Sequence, residues 1–158
     1  MRNPADALPR AIAAVRVATS VFFLFFGEYK VAGPDFAHGG FQKYLQGYID
    51  SSSVSFYQPF LCGVILPHAV FFGDVVGALE LFIGLSLLFG LWVKPASVLG
   101  ALYMVNLTLA TWWDPGHGVP FWRYFGNELD HLPLLLLFVI FYFADAGNTW
   151  GLDGRRRT

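Results

Sequence analysis

Apolar residues in this chain come in long unbroken runs, not in the alternating or one-sided patterns of a soluble fold. Such runs cover residues 11–32, 69–93, 96–113 and 132–146. About 20 apolar residues suffice to cross a hydrocarbon core, so each run is predicted to be a membrane-spanning helix. Breakers bound the runs: Pro9 before the first, Gly33-Pro34 after it, Pro95 between the second and third, and Asp114-Pro115-Gly116 after the third. Pro133 falls in the first turn of the fourth, where a missing N–H costs little. The strictly apolar part of this last run is short. It crosses only with His131 and Asp145 at the two interfaces, or with extension on both sides. The expected fold is all-α: an integral membrane four-helix bundle forming a single domain over residues 1–158.

The first connection, residues 33–68, is too patterned for a simple loop. Phe36, Phe41, Tyr44, Leu45, Tyr48 and Ile49 recur at roughly helical spacing, with Lys43, Gln46 and Asp50 between them. This predicts an extra amphipathic helix lying on the outer membrane surface. The apolar piece from Phe56 to Leu66 contains Pro59 and is too short to span, so it reads as interfacial or re-entrant. The loop 114–130 carries His117, Phe121, Trp122, Tyr124 and Phe125 and is expected to pack on the same outer face.

Composition sharpens the class. The 158 residues are 56% hydrophobic and 13% charged. A soluble domain of this size cannot hide that much apolar surface in one core. A net charge of −1 gives no basis for nucleic-acid binding. Cys62 is the only cysteine, which excludes a disulfide framework and a CxxC thiol relay, and it reads as a buried small hydrophobe. No small-residue cleavage site follows the first apolar core, so that segment reads as retained.

Charge also sets the orientation. Arg2, Arg10, Lys94, Arg155, Arg156 and Arg157 fall on the side of both termini and of the second connection, with Lys43 and Arg123 opposite. By the positive-inside rule both termini are cytoplasmic, in a multi-pass protein of a bacterial inner membrane. Trp92, Trp112, Trp113, Trp122 and Trp150 sit at or beyond predicted helix ends, as an aromatic belt requires.

Charges inside the runs carry the candidate chemistry, because a carboxylate at membrane depth is costly unless protonated, paired or wetted. With a rise of about 1.5 Å per residue, Glu28, Lys30 and Asp74 are predicted to share one layer near the outer ends of the first and second helices. An ion-paired cluster is the cheapest arrangement there. Glu80 lies deeper, with Asn106 at a similar depth as a hydrogen-bond partner. Arg16 either reaches toward Glu80 or snorkels to the headgroups. Two readings of these groups stand: they fix helix register, or they line a polar pocket linked to proton or redox chemistry. Gly73 and Gly77 have the small-xxx-small spacing of close helix approach.

A quinone headgroup needs one or two polar donors beside aromatic and apolar walls. His68 or His131 supplies a donor in such a reading, Trp112, Trp122 and Phe125 the walls, and Glu28 or Asp74 the proton acceptor. Haem is disfavoured, because His68 and His131 lie at helix ends and neither has a second histidine on its helix. No motif for flavin, iron–sulfur, nicotinamide or a metal is visible.

Several motifs resemble those of the DoxX/DoxD proteins. The first helix closes Phe26-Gly27-Glu28-Tyr29-Lys30, similar to that family's Gly-x-x-Lys. The second carries Glu80-Leu81-Phe82-Ile83-Gly84-Leu85-Ser86-Leu87-Leu88, similar to its Glu-x-x-x-Gly-x-x-Leu-x-x-x-Gly, but with the last glycine, Gly90, two residues after Leu88. The chain closes Gly147-Asn148-Thr149-Trp150-Gly151-Leu152-Asp153, similar to its Gly-x-x-Trp-x-x-Asp ending. The resemblance spans residues 12–153. It implies a four-helix membrane protein that works with partner subunits, often near quinone, as does the small membrane subunit of thiosulfate:quinone oxidoreductase. It implies Glu80, Lys30 and Arg16 as the family-like polar positions.

Two functions follow as expectations. The first is a membrane subunit of an oxidoreductase complex that supplies a quinone pocket and proton path while a partner carries the redox centre. The alternative is a structural accessory subunit of a larger respiratory or photosynthetic complex, without chemistry of its own. Transport is disfavoured, since no broken helix pair or inverted repeat is visible. The expected partners are membrane lipids and other subunits.

Overall fold

The computed structural model describes residues 6–33, 35–51, 53–112 and 120–156. Arg2, Pro34, Trp113, the Asp114-Pro115-Gly116 stop, His117 and Arg157 lie outside them. The fold is all-α, with no strand among the described residues. Its helices are α1 (Ala7–Ala32), α2 (Phe41–Ser51), α3 (Ala69–Phe89), α4 (Val93–Thr111), α5 (Phe121–Phe143) and the short α6 (Leu152–Arg155).

α1 buries Ala13, Arg16, Ser20, Phe23 and Gly27 along one stripe and leaves Val21, Phe22, Phe25 and Phe26 exposed. Apolar side chains facing outward suit acyl tails, as does the outward Leu102 of α4 and Phe143 of α5. Among the described residues, three helical segments are long and apolar enough to cross a membrane: Ala7–Ala32, Gln58–Phe89 and Val93–Thr111. The chain is a multi-pass membrane protein.

The second of these segments revises the reading of Phe56–Leu66. That piece is not separate from the second long helix. From Gln58 it runs through a short α turn, a π-helical stretch Leu61–Ile65 and a 3-10 turn Leu66–His68 directly into α3. Pro59 and Pro67 are tolerated because each opens a short turn of this lead-in, where its missing N–H has no partner to lose. Cys62 on this stretch is exposed, not buried.

Helix ends also differ from the sequence pattern. α3 stops at Phe89, because Gly90 takes the left-handed conformation (φ 61°) that closes helices. Trp92 is left-handed too (φ 56°), and α4 begins at Val93. The fourth helix starts at Phe121, well before residue 132, so Pro133 lies inside it and not in its first turn. The predicted amphipathic helix is present as α2. It is joined to α1 through a π-turn, Phe36–Gly40, whose kink needs Gly39 at φ 141°.

Two helix pairs build the bundle, α1 against α3 and α4 against α5. The first pair is close because α3 presents glycines: a Cβ on Gly77 would meet Val31 and Lys30, and one on Gly84 would meet Leu24. In the second pair the ring of Phe138 occupies the space over Gly100. Phe23, Ile83, Leu87, Val93, Met104, Phe138 and Phe141 form the shared core. A smaller cluster of Leu45, Leu61, Ile65 and Ala110 lies under α2 and the lead-in.

The C-terminal turn ties the ends of this bundle together. Arg16, with no exposed surface, donates from Nη1 to the Ala146 carbonyl and from Nη2 to the Trp150 carbonyl, each at 3.1 Å. Asp153 accepts from the backbone N–H of Trp92 and Val93 at 2.9 and 3.0 Å. Its carboxylate thereby caps α4, doing from a distant segment what an N-cap side chain does locally.

Candidate functional site

Lys30 and Glu80 meet across the α1/α3 contact. Lys30 Nζ lies 2.5 Å from Glu80 Oε1, and the two side chains are 16% and 6% exposed. Register explains the pairing. Gly27 packs against the backbone at Glu80 and Leu81, and Lys30 Cβ sits against Gly77, so the lysine stem spans one turn to the carboxylate.

This arrangement corrects the expected Glu28–Lys30–Asp74 layer. Glu28 and Asp74 are both exposed and neither pairs with Lys30. The depth estimate takes α3 to start at the membrane face at residue 69, whereas the helical segment begins at Gln58.

The same Glu80 oxygen accepts a second hydrogen bond, from the Tyr103 hydroxyl at 2.8 Å. Glu80 Oε2 is buried and has no partner. The Lys30 ammonium also lies 5.3 Å from the Phe36 ring centroid and 6.0 Å from that of Phe26, within cation–π range. The cluster thus holds an ammonium, a carboxylate with one oxygen free, and a phenol, inside aromatic walls.

A cavity of about 440 Å³ opens on this cluster. Lys30 and Tyr103 line it, with Glu28 and Tyr29 from α1, Phe36 from the π-turn, Phe41, Tyr44 and Tyr48 from α2, and Val76 and Leu107. A second cavity, of about 360 Å³, lies on the other side of Phe41, Tyr48, Val76, Tyr103 and Leu107.

The remaining predicted polar residues go elsewhere. Asn106 does not bond to Glu80. Its Oδ1 accepts from the Tyr57 hydroxyl in the second cavity. Tyr103, one turn earlier on α4, takes the place beside Glu80. Arg16 neither reaches Glu80 nor snorkels, because inward-turned carbonyls of the C-terminal turn take its donors. His68 is exposed and lines neither cavity.

His131 is partly buried. Its Nδ1 lies 3.3 Å from Thr111 Oγ1 and 3.8 Å from Glu128 Oε2. Trp112 and Trp122 are exposed at 37% and 71%, and with Phe125 they line neither cavity. The proposed wall of histidines and tryptophans is therefore not gathered around the Lys30–Glu80 cavity. Its walls are phenylalanine and tyrosine from α1, α2 and the π-turn.

Sequence reasoning missed three participants. Tyr103 stands in an apolar run, and only its position three residues before Asn106 marks a polar face. Tyr57 precedes the lead-in. Glu128 is buried on α5 (3% exposed) and accepts from Thr111 Oγ1 at 2.9 Å. Among the described residues no group of three His, Cys, Asp or Glu side chains is placed to hold a metal ion.

Comparison with known proteins bears on the same residues. No curated protein and no solved structure matches the chain. One family model does, and its match covers residues 11–113, which include Arg16, Lys30, Glu80 and Tyr103. That stretch is more than half of the chain and carries the whole ion-paired cluster. The chain belongs to the DoxX family of membrane proteins.

Proposed function

We propose that this protein is a membrane subunit of an oxidoreductase complex and that the cavity lined by Lys30 and Tyr103 receives a quinone headgroup. One observation carries the reading: Lys30 and Tyr103, at the wall of an aromatic cavity, are both held by one oxygen of the carboxylate buried behind them, Glu80, whose other oxygen is unpartnered. The cavity volume of about 440 Å³ falls in the range of small-molecule sites. Its aromatic walls and few polar groups fit a flat, weakly polar ring. A structural ion pair needs no cavity beside it and leaves no oxygen idle.

A quinone supplies two-electron, two-proton chemistry. The chain's own residues handle position and protons. Lys30 keeps N–H donors beyond the one given to Glu80, suited to a carbonyl oxygen at the cavity wall, while the one O–H of Tyr103 is donated to Glu80. Glu80 holds both donors in place through Oε1, and Oε2 is the position at which a proton is held or released. Phe36, Phe41 and Tyr44 exclude water and sandwich the ring. Electrons come from a partner subunit, since the chain shows no motif of its own for flavin, iron–sulfur or nicotinamide.

The orientation belongs to the same proposal. Arg10, Lys94, Arg155 and Arg156 gather at the end of the bundle where the C-terminal turn is tied to α1 and α4. By the positive-inside rule this end faces the cytoplasm of a bacterial inner membrane. The Lys30 cavity then lies toward the opposite leaflet.

The test is quinone-linked turnover of the gently purified complex. Glu80→Gln is expected to abolish turnover while the complex still assembles. Unchanged turnover would return Glu80 to a purely structural role, and loss of assembled complex with normal activity per complex would favour a scaffold.

A further inference from the structure

The second cavity takes no part in that reading. Its walls are almost wholly apolar, including Leu61, Ile65, Phe72 and Leu79. The oxygen of its one amide is already taken, because Asn106 Oδ1 accepts from the Tyr57 hydroxyl. A polar ligand finds little there, whereas an alkyl chain finds a matching surface.

Position gives the cavity its meaning. It stands directly behind the Lys30 cavity, with Tyr48 and Tyr103 among the side chains between the two. Phe60, Leu99 and Leu102 also line it and are 42%, 39% and 62% exposed. They stand on Gln58–Phe89 and on α4, both long and apolar enough to cross a membrane. An opening rimmed by exposed apolar side chains on such helices faces acyl chains, not water.

We propose that the two cavities form one site for an amphiphile with a long apolar chain, the headgroup beside Lys30 and Tyr103 and the chain in the cavity between α4 and the Gln58–Phe89 segment. This inference rests on the headgroup reading and names its substrate class: a quinone carrying an isoprenoid or alkyl tail, which enters sideways from the bilayer. A phospholipid acyl chain is the competing occupant of the second cavity. It would sit there independently of any headgroup.

The full chain in lipid nanodiscs decides the matter. The probe is a benzoquinone with a decyl chain ending in a diazirine, and the competitor is the same headgroup without a chain. Irradiation is expected to label peptides around Phe60–Ile65 and Leu99–Asn106, and excess chainless quinone is expected to remove that label. Leu102→Trp, which narrows the opening from an exposed position, should weaken the decyl quinone about tenfold relative to the chainless one, the loss expected when a pair of methylenes is denied burial. Label scattered over the outward faces overturns the inference, and so does label that persists against the chainless competitor. Failure of the chainless quinone to bind at all removes the headgroup reading together with this inference. Chainless binding with scattered chain label removes this inference alone.

Discussion

Lys30 Nζ sits 2.5 Å from Glu80 Oε1 at the level where Gly27 lets α1 touch the backbone of α3. The ion pair and the close helix approach are one feature: without Gly27 and Gly77 the lysine stem does not reach the carboxylate. Removing one partner leaves an uncompensated charge inside the bundle, at a cost of about 3–5 kcal/mol, whereas removing both together is often near neutral. Lys30→Met is therefore expected to lower the midpoint of thermal unfolding in detergent strongly. The double variant Lys30→Met/Glu80→Gln should recover most of that loss while quinone binding stays abolished.

Helix spacing gives a second outcome. A Cβ on Gly84 would stand 2.8 Å from Leu24 Cγ and 2.9 Å from the Leu24 backbone nitrogen. Gly84→Leu should force α1 and α3 apart, at about 1–3 kcal/mol for overpacking. A lower melting temperature together with loss of a Lys30–Glu80 crosslink, made by a zero-length carbodiimide, would show both effects at once.

The capping carboxylate of Asp153 yields a third. Losing an N-cap oxygen typically costs about 1 kcal/mol, so Asp153→Ala should destabilise modestly. Arg16→Ala should cost more, because charge-assisted hydrogen bonds contribute about 1.5–3 kcal/mol and two carbonyls lose their donor. Thermal melts of the two single variants order the effects. An Arg16→Ala protein as stable as the parent would contradict the account.

High pH offers a fourth. Burial, with Tyr44 beside it, raises the Tyr48 phenol on α2 above its ordinary value of 10.0. A raised folded value means that the native state holds the proton more tightly than the unfolded chain does. The stability this contributes is complete below pH 10 and is lost as pH rises through the folded value. Melting temperature should fall with a steeper slope above pH 10 in the parent than in Tyr48→Phe.

Much of the fold was legible in the sequence, and the reasons differ by element. α1 announces itself by a continuous apolar run closed by Gly33-Pro34, and α2 by the spacing of its aromatic residues. The Gln58–His68 lead-in hides because prolines inside an apolar stretch read as breaks, yet here each one opens a new turn. The start of α5 hides because its first half is polar and aromatic. Within the site, charge and depth picked out Lys30 and Glu80, but their pairing depends on helix register, which side-chain packing decides. Charge alone directs Arg16 toward an acid or the headgroups; backbone carbonyls accept from it instead, and nothing in the order of residues marks a carbonyl as turned inward. Tyr103 escaped notice because one phenol in an apolar helix looks like an interface residue.

The turn that holds Arg16 and caps α4 has a consequence for the order of synthesis. Residues 146–153 emerge after every long helix they bind together. Until they arrive, the guanidinium in the first helix has no acceptor and the opening amides of α4 have none either. The nascent protein can thread its helices into the bilayer one by one, but it cannot lock them. Closure is a late event, and a chain arrested before Trp150 should be open to quality-control proteases.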